Sequence, residues 1–140
     1  MTPKPRFTEA DQLSPLVLAY VGDAYFELQV RLKLLEMGCR KPNDLHRTAR
    51  ELVSAAAQAG LLANLGRHLT EMEQAIVRRG RNAKAGHGHR STDAATYQQS
   101  TGFEALIGYL YLTGQDARLG EVLAECWHQA MGESQPIGED

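Results

Sequence analysis

The apolar residues of this chain recur at helical spacing over most of its length, and this feature limits the fold more than any other. The first such segment begins at Ser14-Pro15, where serine is a favoured N-cap and proline suits the first helical position. A stripe of apolar side chains then continues to Gly38, which ends it. No stretch of the sequence shows convincing alternation of apolar and polar residues, as a half-buried strand would. We therefore predict an all-α protein.

Further helix signals follow, each combining a capping residue with apolar residues at helical spacing. The clearest is Thr70 with Glu73 three residues later, a capping box in which each residue satisfies a backbone N–H of the other. Between this helix and the next, residues 80–91 read as a loop with three glycines. After the first helix, helices are expected at about 43–60, 61–65, 70–79, 92–113 and 117–131. Asn43 or Asp44 is expected to cap the first of these, and Ser91 or Thr92 the one at 92–113.

The domain organisation is expected to be simple: an N-terminal arm at 1–12, one helical domain at 13–131 and an acidic, disordered tail at 132–140. A chain of 140 residues can bury roughly two-thirds of its unfolded surface, so it needs no disulfide or metal to hold a core. Cys39 and Cys126 are far apart in sequence. Two free thiols are favoured for them, and a disulfide stays open as the alternative.

The sequence also indicates where the protein resides. Its first ten residues contain two prolines and several charges, with no apolar core of the length that a signal peptide has. The longest apolar run, Leu16–Val21, is far shorter than the ~20 residues that span a bilayer. A cytoplasmic protein without membrane association is expected.

Two acids stand inside apolar helical stretches, Asp23 in AYVGDAYFEL and Glu104 in STGFEALIGYLYL. Acidic side chains are seldom buried unless they are paired, so each needs a metal ion, an arginine or an exposed edge. Small residues flank both acids and would let a substrate or another backbone approach closely. The alternative, that both acids face solvent, stays open at this point. The same holds for Glu27, one turn after Asp23.

Positive charge is concentrated in one segment, although the formal net charge of −2 argues against a polycation that coats nucleic acid. Residues 76–92 contain five cations and no acid, which can form a local anion-binding patch. The alternative is a solvated loop. A zinc site at His87 and His89 is not favoured, because a closed site needs two further ligands. The candidate anion-contacting residues are Arg78, Arg79, Arg81, Asn82, Lys84 and Arg90.

Several of these motifs resemble those of one family. Tyr20-Val21-Gly22-Asp23-Ala24 resembles the signature helix of ribonuclease III, and FEALIG at 103–108 resembles the second acidic helix of that family. Three stretches resemble its Mini-ribonuclease III branch in particular: KPNDLH at 41–46, RGRNAKAG at 79–86 and TDAATYQQSTGFEALIGYLYL at 92–112. The resemblance covers roughly residues 13–131. The motifs in this order and at this spacing are specific, whereas a lone GDA would not be.

The resemblance implies a helical bundle like the ribonuclease III endonuclease domain, homodimeric, with its signature helices at the subunit interface. It implies Mg²⁺-dependent hydrolysis of double-stranded RNA that leaves 5′-phosphate ends, with Mn²⁺ as an alternative ion. Asp23 and Glu104 would be the catalytic carboxylates and metal ligands, and the basic residues at 78–90 would contact the RNA. Tyr20, Glu27 and Thr101 are candidates for positions beside the two acids. The Mini branch consists of a catalytic domain without an appended double-stranded RNA-binding domain, and the same is expected here.

The resemblance also suggests a natural substrate, the precursor of large-subunit (23S) ribosomal RNA. The amino-acid sequence contains no motif for recognition of particular bases, and a catalytic domain alone should bind duplex RNA weakly. A ribosomal protein is therefore a candidate helper.

The chain departs from full-length ribonuclease III, since Leu16, Ala19 and Thr101 stand where those relatives carry further acids. Mg²⁺ is often held by one or two carboxylates together with waters and substrate phosphates, so Asp23 and Glu104 could suffice. The loss of acids nevertheless leaves a second hypothesis open, a catalytically inactive dimer that binds double-stranded RNA as a scaffold. A generic helical adaptor is weaker, because it explains neither the retained acids nor the basic segment.

Overall fold

The computed structural model describes residues 4–83 and 93–132. Within them the protein is helical and contains no strand, which confirms the predicted all-α class. Two 3₁₀ turns, Ala10–Gln12 and Gly66–His68, accompany the α-helices. The six α-helices of the described residues are α1 (Pro15–Glu36), α2 (Pro42–Leu52), α3 (Ala55–Leu65), α4 (Glu71–Asn82), α5 (Ala94–Leu112) and α6 (Asp116–Ala130). Lys84, His87, His89, Arg90 and the acidic tail from 133 onward lie outside the described residues.

Helix α5 forms the centre of the bundle, and α1, α3 and α4 pack around it. Nearly every residue from Ser100 to Leu110 is buried, because neighbouring helices surround this segment. An aromatic group joins α5 to the helices beside it. The rings of Phe26 and Phe103 meet edge to face with centroids 5.0 Å apart, and Trp127 of α6 stacks on Phe26.

The crossing of α1 and α5 is unusually close because glycines face each other there. A Cβ atom on Gly22 would collide with the backbone oxygen of Glu104, and a Cβ on Gly108 would collide with that of Leu18. Helices α4 and α5 are in similarly close contact at Gly80 and Gly102. A Cβ atom on Gly80 would lie only 2.9 Å from the Cα of Gly102. The small residues of the motifs thus let three backbones approach one another.

The predicted helix starts are partly confirmed. Ser14 caps α1, and its hydroxyl accepts from the N–H of Val17 at 3.3 Å. The capping box of α4 is present: the Thr70 hydroxyl accepts from Glu73 N at 3.1 Å, and Thr70 N donates to the Glu73 carboxylate at 2.9 Å. This carboxylate is buried and also accepts two hydrogen bonds of 2.8 Å from Arg118 of α6. Arg118 accordingly lowers the pKa of Glu73.

Other helix boundaries differ from the prediction. Lys41 is the N-cap of α2, with Pro42 at the first position, so the expected start at Asn43 or Asp44 is wrong. The helix expected to continue to residue 60 ends at Leu52, because the hydroxyl of Ser54 caps a new helix by accepting from Ala57 N at 3.1 Å.

Helices α4 and α5 also differ from expectation where they approach the basic segment. Helix α4 continues past Arg79 to Asn82, so Arg81 and Asn82 lie on a helix rather than in a loop. Asp93 caps α5, where Ser91 or Thr92 had been expected, and its Oδ1 accepts from Thr96 N at 2.8 Å.

The expectation of two free thiols is met. Both cysteines are free thiols, and Cys126 is fully buried, which raises its pKa to about 12. None of the helices in the described residues is long and apolar enough to cross a membrane.

Candidate active site

The two acids singled out in the sequence meet at the crossing of α1 and α5. Asp23 follows Gly22 on α1 and is exposed, whereas Glu104 lies in the buried centre of α5 and is half-buried. The two side chains are close enough for the negative charge of Asp23 to raise the pKa of Glu104. The glycine contact between the two backbones therefore brings the two carboxylates together.

The electrostatics of this pair are unfavourable without a counter-charge. Burial raises the pKa of Glu104, and the negative charge of Asp23 raises it further, to about 8. Among the described side chains no cation acts on Glu104 to oppose this shift. Two adjacent carboxylates with no cationic residue beside them form a place where a bound cation would be stabilised.

Gln58 of α3 is the third polar side chain at this place. It is only 1% exposed, and it influences Glu104 in the direction that lowers the pKa, which partly opposes the upward shift. Its Nε2 nevertheless makes no hydrogen bond of regular geometry within the described part of the chain. The sequence analysis missed this residue. The available signal was that Gln58 is the one polar side chain in AAAQAGLLA, at 55–63.

The three residues expected beside the acids have other surroundings. Tyr20 is 80% exposed on the outer side of α1. Glu27 forms an ion pair of 2.6 Å with Arg31, one turn further along the same helix. The buried hydroxyl of Thr101 donates to the backbone oxygen of Tyr97 at 3.1 Å. These contacts engage Glu27 and Thr101 within their own helices rather than with Asp23 or Glu104.

The donor set available to a metal ion is small. In the parts of the chain that the structure describes, no group of three or more histidine, cysteine, aspartate or glutamate side chains could hold a metal. A cation at Asp23 and Glu104 would thus have two protein carboxylates and would take its remaining ligands from water or substrate. Mg²⁺ commonly binds in this way.

Several of the candidate RNA contacts lie on the last turns of α4. Arg78, Arg79 and Asn82 are exposed, and Arg81 is half-buried. No acid of the described residues forms an ion pair with any of these arginines. Arg78 and Arg81 also line a cleft of about 510 Å³ between α3, α4 and the start of α5. The unpaired positive charge can therefore meet an anion from outside the chain.

One face of α1 exposes large apolar side chains, in contrast to the rest of the described surface, where such residues are few. Most of them are three or four positions apart, and the exposed Ala24 fills the gap of eight positions between Tyr20 and Leu28, so they lie along one side of the helix. This stripe, called the outer face of α1 below, consists of Leu16, Val17, Tyr20, Leu28, Leu32 and Leu35.

Comparison with known proteins gives a consistent result. The model of the Ribonuclease III domain matches residues 16–115. The Mini-ribonuclease 3 of Symbiobacterium thermophilum is 61% identical over 112 residues, which cover 79% of this chain and 85% of that protein. The Mini-ribonuclease 3 of Brevibacillus brevis is 46% identical over 121 residues, covering 86% and 90%. A crystal structure of a Fusobacterium nucleatum protein superimposes with a TM-score of 0.76 at 28% identity, covering 90% of this chain and 98% of that one.

The helical bundle, its paired acids and these matches define an endoribonuclease that acts on double-stranded RNA and belongs to a family that generally depends on divalent metal ions. The chain belongs to the ribonuclease III family, in its Mini-ribonuclease 3 branch.

Proposed function

We propose that the chain is a Mg²⁺-dependent endoribonuclease in which Asp23 and Glu104 are the catalytic carboxylates and hold the metal ion. The observation that carries this proposal is the meeting of the two carboxylates, one of them half-buried, with no cationic side chain of the described residues beside them. The two negative charges repel each other when no cation is bound, and a bound cation would relieve that repulsion. Perturbed groups of this kind are frequent at functional sites.

The residues of this site fit Mg²⁺ and the hydrolysis of a phosphodiester. When bound, the ion would polarise the scissile phosphate and lower the pKa of the attacking water, giving 5′-phosphate and 3′-hydroxyl ends. Asp23, which is exposed, faces the side from which RNA can approach. Glu104 is fixed from behind by the bundle. Mn²⁺ prefers similar oxygen ligands and is expected to substitute.

The test of this proposal is cleavage of a long duplex RNA by a Glu104→Gln variant. We expect activity to fall by roughly a hundredfold or more, because the substitution removes a charge at the ion while keeping the shape of the side chain. Glu27→Gln is the matched control, since Glu27 lies one turn from Asp23 and pairs with Arg31. Full activity in Glu104→Gln would refute the assignment.

The basic end of α4 is proposed as the RNA contact, formed by Arg78, Arg79, Arg81 and Asn82 together with Lys84 and Arg90 outside the described residues. A-form duplex is recognised mainly through its shape, phosphates and 2′-hydroxyls. Each phosphate contact that is lost should flatten the dependence of log affinity on log salt by about one.

An Arg78→Ala/Arg79→Ala variant should therefore bind duplex RNA more weakly and with a smaller salt slope, measured by fluorescence anisotropy. Arg47→Ala is a suitable control, because Arg47 is already paired with Asp44 at 3.1 Å. An unchanged slope in the double variant would exclude this end of α4 as the RNA contact.

We further propose that the enzyme is a homodimer joined through the outer face of α1. This face carries the large exposed apolar side chains expected of a subunit interface. Because Asp23 lies on the same helix, a two-fold axis along α1 would place the two active sites close together, one for each strand of the duplex.

The natural substrate is proposed to be a precursor of 23S ribosomal RNA in the cytoplasm, with a ribosomal protein as helper. Support comes from the Mini-ribonuclease III resemblance and from the small basic surface, which should bind naked duplex weakly. Cleavage of naked precursor should be slower than cleavage of precursor assembled with ribosomal proteins. Equal rates at the mature site would exclude the need for a helper.

A further inference from the structure

Gln58 occupies a position where a glutamine has no evident structural purpose. It belongs to α3, whose first nine residues are otherwise alanine, glycine and leucine. The side chain is 1% exposed, so it has left water almost completely. A buried amide without hydrogen-bond partners destabilises a fold, and an apolar side chain of similar length would fill the same volume without that cost.

The amide also lacks a regular partner. In the part of the chain that the structure describes, Gln58 Nε2 has no hydrogen bond of normal geometry. Gln129 of α6 is similar in that its Oε1 is buried without a partner, but its Nε2 donates to Glu125 at 3.1 Å, one turn away in the same helix. The donor of Gln58 is instead left for a group outside α3.

The carboxylate of Glu104 is the acceptor outside α3 on which Gln58 acts. Helix α3 packs directly on α5, Gln58 is buried, and it acts on the Glu104 side chain in the direction that lowers its pKa. Asp23 interacts with the same carboxylate from α1. Glu104 is thus influenced by a neutral amide and by a second acid, and of these two only the amide favours its charged form.

The backbone of Glu104 is already fixed. The carbonyl of this residue lies against Gly22 so closely that no Cβ could be added there. The crossing of α1 and α5 fixes this backbone but leaves the rotamer of the Glu104 side chain undetermined. A donor on the core side would fix that rotamer and leave the other carboxylate oxygen available toward Asp23.

We infer that Gln58 is a positioning residue of the active site, whose amide orients the Glu104 carboxylate for binding a divalent cation. This inference rests on the proposed metal-binding role of Asp23 and Glu104. Mutation of a residue that orients a metal ligand typically lowers the affinity for the metal by about 10-fold or more.

The test uses Mn²⁺ as the probe and follows free Mn²⁺ by its electron paramagnetic resonance signal, in the full-length protein without RNA. Gln58→Met keeps the length of the side chain and removes the amide. We expect it to weaken Mn²⁺ binding by about 10-fold while the urea midpoint stays the same or rises. A residue that only fills the core would leave the affinity unchanged. Gln129→Met is the matched control, because it removes the other partly unpaired buried amide, and it should bind Mn²⁺ like the wild type.

A second variant, Gln58→Leu, guards against a folding defect that is particular to methionine and should weaken Mn²⁺ binding to a similar extent. Asp23→Ala separates this inference from the proposed function. If the wild type binds Mn²⁺, Asp23→Ala does not, and both Gln58 variants bind normally, the role of Gln58 is refuted and the metal site stands. If the wild type and Asp23→Ala bind equally weakly, the metal site itself is refuted, and the role of Gln58 with it.

Discussion

At the scale of single residues, the site depends on one side chain in two conflicting environments. Glu104 is on the most buried helix of the bundle, yet the proposed metal site requires it to be charged. Burial and Asp23 both raise its pKa, and the Gln58 amide opposes them only in part. The metal-free site is thus held in an unfavourable state that binding of a cation would relieve.

This conflict predicts how stability changes with pH in the metal-free enzyme. A carboxyl whose pKa is raised on folding, here from 4.5 to about 8, binds a proton more tightly in the folded state than in the unfolded state. Stability is therefore full below the unfolded pKa and is lost as pH rises toward 8, by on the order of 2 kcal/mol for a partly exposed group. Urea denaturation in EDTA at several pH values measures it.

Two variants provide the controls for the pH experiment. Glu104→Gln should remove this part of the pH dependence, and Asp23→Asn should reduce it, because one of the two causes of the shift is gone. If the slope of stability against pH were the same in Glu104→Gln as in the wild type, the raised pKa of Glu104 would be contradicted.

At the scale of helices, the crossing of α1 and α5 determines the geometry of the site. Gly22 and Gly108 let the two backbones touch, and Asp23 follows the first of these glycines directly. The same sequence letters that looked like a family motif therefore have a steric function, which is to bring two carboxylates from different helices together.

Substitution of these glycines should accordingly be costly. Gly108→Ala would press a methyl group into the backbone oxygen of Leu18, so we expect a loss of at least about 2 kcal/mol in the free energy of unfolding, together with loss of cleavage. Gly120→Ala on α6 is the matched control. Its added Cβ meets nothing within 4 Å, so the variant should be as stable as the wild type or more stable by about 0.5–1 kcal/mol. Urea denaturation compares the two, and equal stabilities would contradict the tight crossing.

Helical periodicity and the capping signals were enough to predict the all-α class, the start of α1 and the capping box of α4. These signals failed at Ser54. The alanines that follow it favour one continuous helix, but the Ser54 hydroxyl caps a new helix instead. The same signals also stopped α4 at Arg79, although the contact of Gly80 with Gly102 stabilises one more turn. Such contacts between distant residues are invisible to local sequence patterns.

The site shows the same division between local and tertiary information. Apolar surroundings were enough to single out Asp23 and Glu104, and their meeting required the fold. Gln58 was missed because a lone glutamine in an alanine-rich helix also fits an ordinary exposed position. Its burial results from the packing of α3 on α5, which no local pattern encodes.

At the scale of the whole molecule, the outer face of α1 exposes more large apolar side chains than the surface of a monomeric protein usually does. Leu28 and Leu32 are 52% and 46% exposed, and they follow Asp23 along the same helix. Covering this face with a second copy would bury apolar surface and would relate the two sites by symmetry.

Charge in this stripe should therefore separate the subunits. We expect the wild type to sediment with the mass of two chains and a Leu28→Asp/Leu32→Asp variant with the mass of one, because the introduced charges would be buried without partners in the proposed interface. Met72→Asp is the control: Met72 is 59% exposed on α4, so this variant should stay dimeric. A double variant that remained dimeric would place the interface elsewhere.

The most direct test of the central claim is cleavage of a long duplex RNA, with and without Mg²⁺, by the wild type and Asp23→Ala side by side. Asp23 is exposed, so its replacement should leave the fold intact, which circular dichroism checks. The account predicts cleavage by the wild type only when Mg²⁺ is present, and none by Asp23→Ala. Equal cleavage by the folded variant would contradict the assignment of Asp23. A folded wild type that cut neither duplex RNA nor a structured ribosomal precursor would instead indicate a scaffold that binds RNA.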